Sequence, residues 1–456
     1  MAQTHPWRME LRFMLKLAWP VVLAELGWML QGVVDVIMVG RLGPVAIGAV
    51  ALGNALYYAP SLFGLGLMLG LDTVVAHAYG RGDHEACHRW LAQGVYVALI
   101  ATVPLMLITF GLSTLTPHFG VAAELIHPTR TYIDILLLGT LPLLLYAASR
   151  RYLQAVGQVR VITVTFVAAN LLNWGGNYVL INGKLGLPAL GVGGSAISTV
   201  LSRCLMALTL FAFAWRYEKQ RGHPLFAHWA RPVLREMREL LKLGLPAATQ
   251  LVLEVGAFGV ATVLAGKISP DALAAHQIVL NYAALAFMVP LGISAAAAIA
   301  VGHSLGAGDP KGARLRALLA FGLGVGFMLC ATVLFFAVPK HLIALYTHDQ
   351  DVTAIGVPLF ALASLFAVFD GVQIIASGAL RGMGETRTSM WANLVGYWVI
   401  GVPLGAALCF VARMGIFGVW IGLTTALILI SIALFTVWQR KSHAPLHATT
   451  PALISR

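Results

Sequence analysis

The sequence predicts an all-helical membrane protein. Twelve transmembrane helices should form two six-helix lobes related by a pseudo-two-fold axis along the membrane normal. Three observations carry that prediction. Of 456 residues, 59% are hydrophobic and only 11% are charged, with a mean hydropathy of +0.83. That is far more apolar surface than a soluble domain needs. The apolar residues fall into twelve runs, each long enough for the ~20 residues that cross a bilayer. The last six runs also echo the first six at a constant spacing.

In order, the runs are 14–39, 47–76, 92–113, 132–154, 161–182, 192–215, 240–265, 273–301, 317–338, 355–379, 389–411 and 416–438, separated by Gly, Pro, Asn and charge. The second and eighth exceed one bilayer crossing, which implies tilt or extension beyond it. Residues 1–16 are polar and basic without a small-residue cleavage site, so the first run reads as a retained anchor rather than a signal peptide. Cys87, Cys204, Cys330 and Cys409 lack metal-ligand spacing and read as small hydrophobes. The formal charge of +12 does not point to nucleic acid, because the basic residues lie in short loops rather than along a stripe. Those loops set the orientation. Of 30 Lys and Arg, 23 fall on the side of the N-terminus, Arg150, Arg151, Arg160 and Arg314 among them. Six (Arg41, Arg130, Lys184, Lys267, Lys340 and Arg413) fall opposite, and Arg203 lies inside the sixth run. Both termini are therefore expected in the cytoplasm.

The echo begins at Pro20 and Pro246, 226 positions apart. At that spacing LAWP (17–20) meets LGLP (243–246), and Gly40, Pro44, Ala46 and Ala49 meet Gly266, Pro270, Ala272 and Ala275. HAYGRGD (77–83) meets HSLGAGD (303–309), and at 227 positions LQAVGQVR (153–160) meets LRGMGETR (380–387). Six spans per half is an even number, so both halves share one orientation, as in parallel-repeat transporters. The halves are expected at 1–222 and 223–456, joined by the charged segment 215–240 at the cytoplasmic interface.

Acids inside apolar runs carry the chemistry. A carboxylate in hydrocarbon costs about 2.5–3.5 kcal/mol on insertion scales and so usually faces a polar interior or an ion path. The stretch 17–40 holds two, Glu25 and Asp35. Asp35 lies about five residues from the outer end of the first run. Asn173 and Asn177, four apart and so on one helical face, bring Asn177 to the same depth in the fifth. One carboxylate with amide carbonyls is an oxygen-rich set that would hold Na⁺, and the carboxylate alone can hold a proton. The plainer alternative is an Asp that caps or pairs locally. Thr199 and Asn170 are weaker members of this set. Glu254 and Asp370 sit in the seventh and tenth runs, and the repeat does not supply them: their counterparts are Trp28 and Leu143. Each half thus adds its own acids to a common scaffold, unless Glu254 and Asp370 are protonated interhelical contacts. Glu25 is a proton site or a protonated helix contact, and Arg203, mid-span, is a candidate counter-charge. His77, His276 and His303 near run ends read as structural. Trp28, Met29, Met68, Phe287 and Met288 are candidates to line a cavity for flat cations.

These elements together resemble the multidrug and toxic compound extrusion (MATE) family, most closely its bacterial NorM-type branch. The resemblance rests on VVDVIMVGRLGP (33–44), the twin GRGD and GAGD loops, LEVGAFG (253–259), AAHQ (274–277) and FDGVQIIASGALRGMGETR (369–387), and covers about residues 10–440. It implies a V-shaped antiporter of the bacterial inner membrane that exports cationic organic compounds against Na⁺ or H⁺. No cofactor or nucleic acid is implied, and a monomer in the lipid bilayer is expected. It maps a first-lobe cation site onto Asp35, Asn173 and Asn177, and a second cation and substrate site onto Glu254 and Asp370. One departure stands out: Phe366 occupies a position where some Na⁺-coupled relatives carry Tyr, which speaks against Na⁺ in the second lobe. Among rivals, the major facilitator superfamily normally has a DRxGRR-like loop after span two, where this chain reads YGRGDHEACHR (79–89). A lipid-linked oligosaccharide flippase would favour a cationic cavity, whereas the intramembrane charges read here as mostly acidic. A membrane enzyme would need clustered metal ligands or a nucleophile–base set, and the sequence offers neither.

Overall fold

A computed structural model describes residues 6–222 and 229–443, and among these there are helices and no strands. The first half runs α1 (Pro6–Gly40), α2 (Pro44–Met68) and α3 (Gly70–Gly80), α4 (His84–Thr114), α5 (Ala123–Leu138) and α6 (Thr140–Ala155), α7 (Val159–Asn182) and α8 (Gly191–Gln220). The second half runs α9 (Leu234–Gly266), α10 (Pro270–Gly306), α11 (Pro310–Ala337) with the short α12 (Pro339–Ala344), and α13 (Gln350–Gly382). The eleventh span follows as α14 (Arg387–Asn393) and α15 (Val402–Ala406), and α16 (Ile416–His443) ends the series. All twelve expected spans are present. Ten are long and apolar enough to cross a bilayer, and the pair α5–α6, bent by 45°, adds an eleventh. The twelfth, α7, is 24 residues long, but Asn170, Asn173 and Asn177 dilute its hydropathy.

Two spans depart from the simple apolar rod. The fourth bends between Leu138 and Thr140, at Gly139. In the eleventh, Leu394–Gly401 and Ala407–Val411 are π-helical on either side of α15. Pro403 lies within α15, between the two π-helical stretches. A repeat of apolar runs carries no sign of them.

The chain divides into two compact units. One is Leu23–Ala248; the other is the chain up to Val22 together with the chain from Thr249 onward. Both divisions fall inside a helix, α1 and α9, and at the same repeat position, since Val22 and Ala248 are 226 apart. Of the expected join, residues 223–228 lie outside the described residues.

The repeated loops explain why the halves fold alike. Asp83 Oδ1 accepts from Ala86 N at 2.9 Å and caps α4; Asp309 Oδ1 accepts from Gly312 N at 2.8 Å and caps α11. The glycine before each, Gly82 and Gly308, takes a left-handed φ of 74° that a side chain would resist. Asp83 N then returns to Ala78 O at 3.0 Å, and Asp309 N to Ser304 O at 2.8 Å. The second pair of loops matches equally well: Gln158 N reaches Leu153 O, and Glu385 N reaches Leu380 O. One local hydrogen-bond pattern, written twice, closes the same corners in both halves.

Candidate functional site

In unit Leu23–Ala248, α1, α7 and α8 bring four expected residues together. Asn177 Nδ2 donates to Asp35 Oδ1 at 2.6 Å and lies 3.3 Å from Asn173 Oδ1; Asn173 Nδ2 lies 3.4 Å from Thr199 Oγ1. All four side chains are buried, Asn177 completely. The backbone is fastened beneath them: Ser198 Oγ donates to Asn173 O and Ser202 Oγ to Ala169 O, locking α8 to α7. Asn177 Oδ1 is buried and has no hydrogen-bond partner, so the cluster keeps an amide carbonyl beside a carboxylate. That pairing is what a hard cation or a proton needs. Asn170 stands one turn before Asn173 with its own Oδ1 buried and unpartnered, and no hydrogen bond joins it to the cluster.

Arg203, on α8, is buried within electrostatic reach of Asp35. Its Nη1 donates to Tyr57 Oη at 2.8 Å, its guanidinium lies 4.9 Å from the Tyr57 ring centroid, and Tyr57 in turn meets Thr140 Oγ1 at 3.1 Å. The mid-span cation is therefore held by a phenol and a π face rather than by a direct ion pair.

Glu25 meets a charged partner on another helix. It forms an ion pair with Arg150 of α6. Arg150 and Arg151, counted with the basic residues on the side of the N-terminus, both lie inside α6. Arg151 Nη1 is 3.6 Å from Asp72, a fully buried acid of α3. Buried cations thus offset two acids of this unit, Arg150 beside Glu25 and Arg151 beside Asp72. Asp72 carried the same signal as Asp35, an acid in an apolar run. A further buried acid, Glu218, accepts from Tyr152 Oη at 2.8 Å and lies 3.2 Å from His88 Nε2.

In the other unit, Glu254 on α9 and Asp370 on α13 are both buried and within electrostatic reach of each other. Gln373, one turn beyond Asp370, donates to Glu254 Oε2 at 3.4 Å while its Oε1 is buried without a partner. Phe366 is packed between Phe258 and Trp420, with centroids at 5.9 and 5.7 Å. The nearby phenol is instead Tyr397, from the π-helical Leu394–Gly401. Its ring lies 6.0 Å from Phe258, its Oη is buried with no hydrogen-bond partner, and both acids are within electrostatic reach. The period of an ordinary helix gives no hint of Tyr397; Gln373 was legible as the i+3 neighbour of Asp370.

His276 is structural. Trp420 Nε1 donates to its Nδ1 at 3.1 Å, which leaves Nε2 to carry the proton toward Thr262 Oγ1, also at 3.1 Å. His77 is buried and His303 half-buried. Of the apolar candidates, Met68 is fully buried, Trp28 packs on Phe166 at 6.0 Å, and Met29, Phe287 and Met288 are half-buried. The four cysteines are free thiols.

Twelve spans in two repeated halves, each with carboxylates buried among amides and aromatics, define a polytopic α-helical membrane protein of the duplicated transporter type. The MatE family profile matches residues 20–179 and again 246–407, two stretches that begin 226 residues apart like the repeat itself. The chain belongs to the MatE family. Over 451 residues it is 36% identical to a probable multidrug resistance protein NorM of Mesorhizobium japonicum, covering 96% of each chain. To the multidrug resistance protein NorM of Aliivibrio fischeri it is 31% identical over 450 residues, again 96% of each. Among solved structures, a MATE protein in its bent conformation superposes with a TM-score of 0.88 at 20% identity, over 98% of this chain and 99% of that one. An outward-facing multidrug resistance MATE family transporter superposes with a TM-score of 0.87 at 19% identity, over 98% and 100%.

Proposed function

We propose that this protein is a secondary antiporter of the bacterial inner membrane that exports amphipathic organic cations in exchange for H⁺ or Na⁺ by alternating access. One observation carries the reading: a carboxylate, Asp35, buried in an apolar helix and bonded to an amide whose own carbonyl is left without a partner. Burying such a group opposes folding, so its use lies in binding a cation that comes and goes. The relatives named as multidrug resistance proteins support export of drugs as the direction of transport. In this reading Asp35, Asn173, Asn177 and Thr199 take the coupling ion. Glu254 and Asp370, walled by Phe258, Phe366, Tyr397 and Trp420, take the organic cation or a proton through charge and π faces. Phe366 offers no oxygen, which favours H⁺ over Na⁺ in that second site. Proton and drug then compete for negative charge, and that competition enforces exchange.

Proteoliposomes loaded with a fluorescent cationic dye and given a pH or Na⁺ gradient test this directly. Dye movement driven by one gradient and abolished in Asp35→Asn is the expected result. Dye movement that ignores both gradients overturns the reading.

A further inference from the structure

We infer that Glu25 and Arg150 are a positioning pair that sets how α1 presents Asp35 to α7; the inference rests on the reading of Asp35 as the coupling-ion carboxylate. The two side chains pair within one unit, 16% and 8% exposed, joining the first span to the fourth. A buried ion pair is weak support for stability, because desolvation offsets its attraction; its best-attested use is to specify register.

The repeat provides an internal comparison. At the spacings of 226 and 227, Glu25 meets Leu251 and Arg150 meets Ser377. The second half fastens the same two spans one residue away and without charge, Gln250 Nε2 donating to Ser377 Oγ at 3.3 Å. The counterpart of Asp35 there is Ala261. A fastening of first span to fourth is thus common to both halves. It is ionic only in the half whose first helix carries the cluster's carboxylate.

The geometry of α1 shows why register matters. Its Trp19, Leu30 and Ile37 side chains are 63%, 60% and 62% exposed, an apolar surface that gains nothing from one rotation over another in lipid. Polar contacts must then fix it. Glu25 and Asp35 are ten residues apart, about 15 Å along the axis and about 80° short of three full turns. They therefore attach α1 at two depths to two different helices, α6 and α7. Two such points fix both rotation and axial position, and the second is the ion cluster itself.

The test uses full-length protein in proteoliposomes. Glu25→Gln/Arg150→Met removes both charges at similar volume and so avoids a lone buried charge. Glu25→Arg/Arg150→Glu restores the pair reversed. Spin labels at Ile37→Cys and Trp174→Cys, exposed positions of α1 and α7, report the spacing of those helices once the native cysteines are replaced by serine. The neutral pair is expected to raise the half-saturating ion concentration for dye export by about tenfold, the factor equal to about 1.4 kcal/mol. It should also shift or split the label distance, and the reversed pair should restore both. Parental ion dependence and distance in the neutral pair overturn the inference, and so does a reversed pair that restores neither. Should Asp35→Asn keep its ion dependence, the coupling role of Asp35 fails, while the label distance still decides whether the pair sets α1.

Discussion

At the scale of single residues, Asp35 and Asn177 make the sharpest statement. Asp35→Asn keeps an oxygen for the Asn177 N–H and removes a charge that opposes burial, so the protein should insert and melt at or slightly above the parental temperature. Ion-driven dye export should be lost, and export at the parental rate would show that Asp35 is not the coupling group. Asn177→Leu is the complement: it leaves Asp35 charged without its donor, so stability should fall by about 1–3 kcal/mol, read as a lower melting temperature in detergent. The grouping of Asp35 with Asn173 and Asn177 was legible because an acid in an apolar run and two amides four apart are strong local signals. The partner of Glu25 was not. An arginine near the end of a span looks like a loop residue until the fold turns it inward, and no pattern within one helix names a partner on another.

At the scale of elements, two junctions in the second half carry predictions. Glu385, in the corner between α13 and α14, receives Lys441 Nζ at 2.5 Å and the Thr388 N–H at 3.2 Å. Burial pushes the Glu385 carboxyl up, but the bond and charge of Lys441 outweigh it and hold the group below the usual carboxylate range. A depressed pKa means this stabilisation is present above the unfolded value of about 4.3 and is lost as pH falls through the folded one. Glu385→Gln should therefore flatten the acid side of a melting-temperature profile and leave Lys441 unpaired above pH 5; a profile parallel to the parent's would exclude the pair as an acid-sensitive contact. The second junction is the chain Trp420–His276–Thr262, which ties α16, α10 and α9. Trp420→Phe strips the donor from His276 Nδ1, and an unsatisfied buried acceptor costs about 1–3 kcal/mol. A melting point unchanged from the parent would mean that water takes the donor's place. The spans themselves were readable from apolar length, and the corners from Gly and Asp. The π-helical course of the eleventh span was not, because a change of hydrogen-bond period leaves the apolar run unchanged.

At the scale of the whole molecule, the 23-to-6 distribution of basic residues predicts that Lys184 and Lys340 face outward while Arg160 and Arg314 face the cytoplasm. Single cysteines at these positions, in a background without native cysteines, should react with an impermeant thiol reagent on intact cells only at 184 and 340. Labelling confined to 160 and 314 would reverse the orientation. The number of spans and the duplication were legible because each corner is written twice with the same residues. The acids are exceptions to that duplication, since each half departs from the shared pattern at different positions.

The division of α1 and α9 between the two units bears on how the chain is made. The N-terminal end of α1 is held by residues synthesised much later: Arg316, 306 positions on, donates from Nε and Nη2 to Glu10, and Gly292 packs on the backbone of Val22. The N-terminal end of α9 is received by the first half, where Gly244 lies against the Leu67 carbonyl and Gly66 against Ala248. A ribosome that has delivered only the first six spans has therefore left the start of α1 without its partners and the seat for α9 empty. Neither product of a gene cut between codons 222 and 229 should accumulate alone, and the two should rescue each other when made in the same cell. A first-half fragment that persists by itself at full-length abundance would show that the exchanged ends matter little during biogenesis.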